Sequence, residues 1–152
     1  MTTTTKSVTD IVNGTIQSIK SVIPLPVKVD QPTLLTEPLR KHKIGVLIGL
    51  TGDIRGQIIF DGDVEDFQGL GTSMFGMPLE GEMLESFAGE LGNMIAGNLS
   101  TKIAELGHSM DITPPTVIVG ESRFSGFDRA LKLPITVENA GKFIIVIMVD
   151  LA

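Results

Sequence analysis

The first predicted element is a helix, because hydrophobic residues near the start of the chain recur three or four positions apart, with polar residues between them. They are Val8, Ile11, Val12, Ile16, Ile19 and Val22. This spacing places them on one face of an amphipathic α-helix that begins at Ser7. Pro24 and Pro26 prevent its continuation, so we predict that it ends near Val22. The Thr-rich lead, Met1–Lys6, buries nothing by itself and is predicted to be frayed.

Strands are predicted where hydrophobic and polar residues alternate, or where short apolar runs lie between turn residues. Six segments fit this description: Val27–Leu35, Lys43–Leu50, Arg55–Phe60, Thr116–Gly120, Ala130–Val137 and Lys142–Leu151. Thr51, Gly52 and Asp53 join the second and third segments in a predicted hairpin. The last segment is apolar at nearly every position, which predicts a central strand covered on both faces.

Two helices are predicted between the third and fourth strands. The acidic run Asp61–Phe67 opens the first, because carboxylates are favoured at helix N-termini, and a glycine and a proline end it after Phe75. The second is long, about Gly81–Leu106, with Gly107 as its predicted C-cap. Together the elements predict a single α+β domain over residues 1–152, a mostly antiparallel sheet of about six strands packed with long helices.

The long helix has two distinct faces. At roughly 100 degrees per residue, one broad stripe is expected to face the core. It consists of Leu84, Phe87, Leu91, Met94, Ile95 and Leu106. The opposite face holds Ser86, Glu90, Asn93 and Gly97 within an arc of roughly 60 degrees, with Gly89 close beside them. One acid and one amide therefore stand on a face otherwise made of small residues.

Three glycines inside this helix need an explanation. Gly89, Gly92 and Gly97 each cost about 0.8 to 1 kcal/mol relative to alanine in a helix interior. Gly92 lies toward the core side, where it permits close packing of the helix. Gly89 and Gly97 flank the polar pair, which indicates that another surface approaches the helix closely at that face.

Composition narrows the classes of partner. Twelve Lys plus Arg against eighteen Asp plus Glu give a formal charge of −6, whereas binders of nucleic acid usually present a clustered basic face. DNA and anionic membranes are therefore not expected partners. The longest apolar run, Phe143–Val149, is far below the roughly 20 residues that span a bilayer, and no signal peptide is recognised. With no cysteine, disulfides and thiolate zinc sites are excluded, and we expect a cytoplasmic protein.

Two other patterns are given structural interpretations. Asp61, Asp63 and Asp66 lack the glycine and terminal Glu of a calcium loop, so helix capping is the better explanation. The glycine-rich run at Gly69–Gly76 falls inside a predicted helix, which argues against dinucleotide binding. The seven methionines are interpreted as core filler and adaptable packing. No metal or cofactor site is predicted.

The two histidines are also given structural interpretations. His42 lies in a charged run and is expected to be exposed. His108 follows the predicted C-cap of the long helix and is expected to interact with the helix end.

The run SFAGELGNMIAGN, Ser86–Asn98, resembles the signature helix of the CheC, CheX and FliY family of chemotaxis phosphatases. That signature is Asp or Ser, three residues, Glu, two residues, Asn, and then a Pro a little over twenty residues later. Ser86, Glu90 and Asn93 match it in type and spacing. Pro115 follows Asn93 after 21 residues, one fewer than the pattern, and opens a run, PTVIVG, that is also similar to the family.

The CheX branch of the family fits best, because CheC-like and FliY-like proteins typically carry two copies of the motif and this chain has one good copy. Asp10 and Asn13 in the first helix share the Glu-to-Asn spacing. Asp is one methylene shorter than Glu, and no face of small residues surrounds it. We interpret this pair as a decayed second copy or a coincidence.

The resemblance implies a phosphatase that hydrolyses the aspartyl phosphate of a CheY-like response regulator. It implies that Asn93 orients the attacking water, that Glu90 pairs with a Lys of the regulator, and that Ser86, Gly89 and Gly97 contact the partner. The regulator would bring its own Mg²⁺, and the chain would form a homodimer joined through strands.

Two alternatives without phosphatase activity stay open. One is a docking or adaptor module that binds a receiver domain or a flagellar switch component with the same helix. The other is a sensor or adaptor whose dimer is the functional unit.

Overall fold

The computed structural model describes residues 2–34, 39–41, 44–120, 122–124 and 130–149. It has three helices, α1 (Thr2–Val22), α2 (Val64–Phe75) and α3 (Gly81–Glu105). Its strands are β1 (Val27–Val29), β2 (Thr33–Leu34), β3 (Leu39–Lys41), β4 (Ile44–Gly52), β5 (Gly56–Gly62), β6 (Met110–Ile112), β7 (Thr116–Val119), β8 (Ser122–Phe124), β9 (Ala130–Val137) and β10 (Gly141–Val149).

All three predicted helices form, with differences at their starts. α1 begins at Thr2, five residues before the predicted start, so the backbone of the Thr-rich lead, predicted to be frayed, is helical. α2 begins at Val64 because Asp61 belongs to β5, where it is buried. α3 ends at Glu105, and its C-cap is Leu106 and not Gly107 as predicted. Gly107 follows the cap with φ +93°, and the His108 N–H donates to the Ile103 carbonyl at 3.2 Å. This is the pattern of a glycine-terminated helix.

The main sheet is antiparallel throughout, in the order β1–β9–β10–β5–β4–β6. β2 shares the outer edge of β9 with β1, and β7 shares the outer edge of β4 with β6, so eight strands fill six positions. This confirms the predicted α+β class, the sheet of about six strands, and the hairpin of β4 and β5.

Other details of the strands differ from the prediction. The first predicted strand is divided into β1 and β2 at Pro32, which has no N–H to donate to a ladder. Three short strands, β3, β6 and β8, were not predicted, and β3 pairs with β8 outside the main sheet. Three ends of predicted strands lie outside the described residues: Leu35 of the first, Lys43 of the second, and 150–151 of the last.

β10 is the central strand, as its apolar sequence predicted. Phe143, Ile145 and Ile147 point into the main core, together with the buried faces of the three helices. Val146 and Met148 point to the other face of the sheet, in a smaller buried cluster with Ile59 and Ala130. None of the helices in the described ranges is both long and apolar enough to cross a membrane.

Candidate functional site

α3 presents the candidate site because its core-facing side is held by the sheet and by α1. Leu84, Leu91 and Ile95 are buried in the main core, as the helical stripe predicted. The same prediction is wrong for Met94 and Leu106, which are 44% and 51% exposed. Met94 lies at the margin of the stripe, next to the polar face, and Leu106 lies at the C-cap, beyond the last packed turn.

The polar face of α3 is accessible. Ser86 and Glu90 are exposed, and Asn93 and Gly97 are half-buried. Within the part of the chain that the structure describes, the side chains of Glu90 and Asn93 have no hydrogen-bond or ion-pair partner. A helix places residues three apart about one turn from each other, so the acid and the amide form one unpaired polar patch.

The three helical glycines have three different surroundings. A Cβ added to Gly92 would lie 2.8 Å from Cγ1 of Val46, which confirms that Gly92 lets the helix approach the sheet. A Cβ added to Gly97 would meet nothing within 4 Å, so this position is open on the polar face. Gly89 is buried, and its Cβ would lie 3.0 Å from Cγ2 of Val117. The expectation that Gly89 contacts a partner is therefore wrong, because the surface that approaches it is β7.

The two parts of the family signature, the helix segment and the segment that begins at Pro115, come together at Gly89. Pro115 leads directly into β7, whose Val117 packs on α3 at Gly89. Thr113, two residues earlier, exchanges hydrogen bonds with Gly49 of β4: the Gly49 N–H donates to Thr113 Oγ1 at 2.8 Å, and the Thr113 N–H donates to the Gly49 carbonyl at 3.0 Å. These bonds fix where β7 enters the sheet, and they therefore fix the position of β7 beside the helix that carries the polar patch.

An apolar groove continues from the polar patch toward the start of α3. It has a volume of about 660 Å³ and is lined by Phe75, Met77, Leu79, Glu82, Met83, Ser86, Phe87 and Glu90. Phe75, Met77 and Met83 are 59%, 51% and 59% exposed. The interpretation of the methionines as core filler is wrong for Met77, Met83 and Met94. The sequence signal for the groove is the cluster Phe75–Pro78, whose glycine and proline predict only the end of a helix.

The second, weaker copy of the motif has a different environment. The Asp10 carboxylate is half-buried and lies 3.2 Å from His108 Nε2, with which it forms a hydrogen bond. Asn13 is exposed beside it. His108 lies after the end of α3, as predicted, and its ring also reaches back to α1. His42 lies outside the described residues.

Two further predicted interpretations are confirmed. Asp66 Oδ2 accepts the Asp63 N–H at 3.2 Å, so Asp63 and Asp66 cap α2, and Asp66 Oδ1 accepts the Lys142 N–H at 3.1 Å. The capping interpretation is wrong for Asp61, which is buried in β5. The glycine-rich run Gly69–Gly76 lies within α2 and its C-cap. Among the described residues, no group of three or more His, Cys, Asp or Glu side chains is arranged to hold a metal ion.

Comparison with known proteins gives a consistent result. The family model described as Chemotaxis phosphatase CheX matches residues 44–138, a range that contains all of α3 and β7. The protein named CheY-P phosphatase CheX from Thermotoga maritima is 33% identical to this chain over 138 residues, which is 88% of each protein.

Solved structures show the same fold. A CheC-like superfamily protein from Shewanella sp. PV-4 is similar with a TM-score of 0.81 at 22% identity, over 93% of this chain and 97% of that one. The CheX–CheY–BeF₃–Mg²⁺ complex from Borrelia burgdorferi is similar with a TM-score of 0.78 at 23% identity, over 95% of this chain and 97% of that one.

Proposed function

Because the chain belongs to the CheX family of chemotaxis phosphatases, we propose that it hydrolyses the aspartyl phosphate of a CheY-like response regulator with the polar patch of α3. The observation that carries this proposal is the state of Glu90 and Asn93. Both side chains lie one turn apart on a regular helix, without a partner among the described residues. Both side chains are accessible, so they are available to bind another molecule.

Asn93 orients the attacking water. Its carboxamide carries one acceptor oxygen and two N–H donors, so it can hold a water by one group while the other contacts the phosphoryl site. The water oxygen attacks phosphorus in line, the bond between phosphorus and the aspartyl oxygen breaks, and inorganic phosphate and a free aspartate carboxylate result. Positioning is the main requirement of this reaction, and an amide does not compete as a nucleophile.

Glu90 fixes the regulator in register by pairing with a Lys beside the phosphorylated aspartate. Its exposure leaves the carboxylate free to make this ion pair. The Mg²⁺ that offsets the phosphoryl charge belongs to the regulator, and this chain contributes no ligand to it. That assignment agrees with a solved CheX–CheY complex of a relative, which contains Mg²⁺.

Ser86 and Gly97 extend the contact along the same face. Ser86 is exposed one turn before Glu90, and we assign it a surface contact instead of a nucleophilic role. His108, the histidine in the described ranges, pairs with Asp10 on α1 and does not activate it. The open space over Gly97 allows the regulator to approach the helix backbone.

The chain is also proposed to act as a homodimer in the cytoplasm. Among the described residues, β1 and β2 form one outer edge of the main sheet and β6 and β7 form the other, and an open strand edge is a template for another chain. At one of them, Val119 of β7 is largely exposed. Joining such edges would make the two sheets continuous. Sedimentation velocity at micromolar concentration tests this, because a purely monomeric protein contradicts it.

The decisive experiment measures phosphate release from a Mg²⁺-loaded, phosphorylated CheY-type regulator. The wild type is expected to accelerate release, and Asn93→Ala to lower kcat by about 100-fold or more, the cost typical of losing one positioned hydrogen-bonding group. Asn13→Ala is the matched control, since it removes the same amide at the same spacing on α1. Full activity in Asn93→Ala contradicts the site, and binding without acceleration by the wild type supports a docking module instead.

A further inference from the structure

We propose that the apolar groove beside the polar patch, lined by Phe75, Met77, Met83 and Phe87, is the docking site that holds the response regulator. The groove takes an apolar side chain of the regulator's receiver domain that is flanked by a cationic group. This inference rests on the proposed function. It adds a surface that binds the regulator and that is separate from the residues that act on its phosphoryl group.

The groove has the construction of a binding hot spot. The Phe75 ring stands edge-on to the Phe87 ring, with centroids 5.6 Å apart and an interplanar angle of 85°. Phe87 is buried, so it holds Phe75 in place while most of Phe75 stays exposed. A rigid aromatic residue at the rim of an apolar pocket is a typical anchor of protein interfaces. The flexible Met77 and Met83 can adjust to the shape of the inserted side chain.

The position of the groove identifies its occupant. Glu90 lines the groove and also belongs to the polar patch, and Ser86 lines the groove on the same face of α3, so the two surfaces are continuous. Met83 precedes Glu90 by two helical turns, about 10 Å along the helix axis. A receiver domain that brings its phosphoryl group to Asn93 must therefore cover the groove as well.

The charge of this region defines the chemistry of the occupant. Residues 67–101, which include the groove and the polar patch, contain no Lys, Arg or His. They contain four carboxylates: Glu80, Glu82, Glu85 and Glu90. Glu82 and Glu90 lie at the groove itself. A nucleic acid or an anionic membrane would be repelled, whereas an apolar side chain with a neighbouring Lys or Arg is complementary.

The same charges disfavour a second copy of this chain as the occupant. In a two-fold symmetric dimer each surface patch faces an identical patch. Glu82 and Glu90 of one copy would then approach the same residues of the other across an apolar contact. The dimer proposed above uses strand edges, which leaves this face of α3 free for the regulator.

The test measures binding separately from hydrolysis, with the regulator activated by beryllofluoride and Mg²⁺. Met83→Ser is expected to raise Kd about tenfold, a typical effect of truncating an interface anchor. It should raise KM for the phosphorylated regulator similarly, with kcat within about twofold of wild type. Glu82→Gln is expected to reduce the salt dependence of Kd, because it removes one screened charge pair.

Leu106→Ser is the matched control. Leu106 is exposed to a similar degree on the same helix, but it lies about 34 Å away along the axis. Its Kd and KM should equal those of the wild type. Since Met83 is also exposed, its substitution leaves the core intact, and an unchanged melting temperature confirms this.

Three results would overturn the docking site. They are wild-type binding by Met83→Ser, a loss of kcat without a change in KM, and conversion of a dimer to monomers by Met83→Ser, which would assign the groove to a second copy. Asn93→Ala separates this inference from the proposed function, because its loss of kcat should far exceed any change in its Kd. If the wild type binds through Met83 but releases no phosphate, the phosphatase proposal fails and the docking site stands.

Discussion

Nε2 of His108 lies 3.2 Å from Oδ2 of Asp10, so a hydrogen bond joins the turn after α3 to the middle of α1. Both side chains are largely buried, with relative exposures of 20% for His108 and 15% for Asp10. Asp10 is therefore engaged within the fold, whereas Glu90 at the same motif position on α3 is exposed and unpaired among the described residues. Asp10 is therefore a residue that holds the fold together, whereas Glu90 is available to a partner.

Replacing Asp10 is expected to affect stability and not catalysis. Asp10→Ala removes the hydrogen bond and should lower the free energy of unfolding by about 0.5–1.5 kcal/mol. Dephosphorylation of the regulator should match that of the wild type, while Glu90→Ala should lose it. Urea unfolding and phosphate release measure the two effects, and a loss of activity in Asp10→Ala would give the first helix a catalytic role.

Gly97→Ala is expected to stabilise the protein and weaken its contact with the regulator. The added methyl group enters open space, so the better helix propensity of alanine should raise the free energy of unfolding by about 0.8–1 kcal/mol. If the regulator approaches the backbone here, KM should rise at the same time. Thermal unfolding and KM measured on the same variant test both parts.

Gly92→Ala is the control for that prediction. Its methyl group would meet Cγ1 of Val46 at 2.8 Å, and Val46 is a buried residue on β4 that cannot turn away freely. The strain of overpacking, about 1–3 kcal/mol, should exceed the gain in helix propensity. A stabilised Gly92→Ala would show that the helix-to-sheet contact is looser than the distances indicate.

Ser18→Ala is expected to stabilise α1. Ser18 is fully buried, and its hydroxyl has no hydrogen-bond partner in the described structure. Removing an unsatisfied buried hydroxyl and gaining helix propensity should add about 0.5–2 kcal/mol to the free energy of unfolding. The control is Thr15→Val, because the Thr15 hydroxyl donates to the Ile11 carbonyl at 2.7 Å. Thr15→Val should not be stabilised. An equal increase in the free energy of unfolding in both variants would contradict the conclusion that the Ser18 hydroxyl is unsatisfied.

Asp66→Ala is expected to destabilise the start of α2. The Asp66 carboxylate accepts the N–H groups of Asp63 and Lys142, so it ties the helix to the first residues of β10. Its loss should cost about 1–2 kcal/mol, as for other capping residues. Glu65→Ala serves as the control, since Glu65 is exposed in the same helical turn. Millimolar Ca²⁺ should leave the melting temperature unchanged, and a rise would revive the calcium-loop interpretation.

Much of the fold could be predicted because long elements repeat their pattern many times. α3 extends over seven turns, and its end before Gly107 follows from a local rule about glycine. The short strands lack this redundancy: β6 has three residues, and it exists because Met110–Ile112 meets the end of β4. Periodicity predicts the direction in which each side chain of a helix points. It does not predict how much of the helix surface the sheet and α1 cover, which is why the core prediction fails for Met94 and Leu106.

The polar patch could be found from sequence, whereas its surroundings could not. Ser86, Glu90 and Asn93 lie on one helix, so their spacing fixes their geometry. Gly89 was misassigned because the residue that covers it, Val117, is 28 positions away along the chain and reaches it through β7. The groove likewise combines Phe75 and Met77, from the end of α2 and the connection, with side chains of α3. Contacts of this kind depend on tertiary packing.

Asn93 stands near the middle of α3, an unbroken helix of 25 residues. Such a helix moves as one rod, so it cannot fold over a substrate as the lid of many enzymes does. Under the proposed function, this chain supplies Asn93 and the regulator supplies the aspartyl phosphate and Mg²⁺. The complete active site therefore exists only while the two proteins are bound to each other.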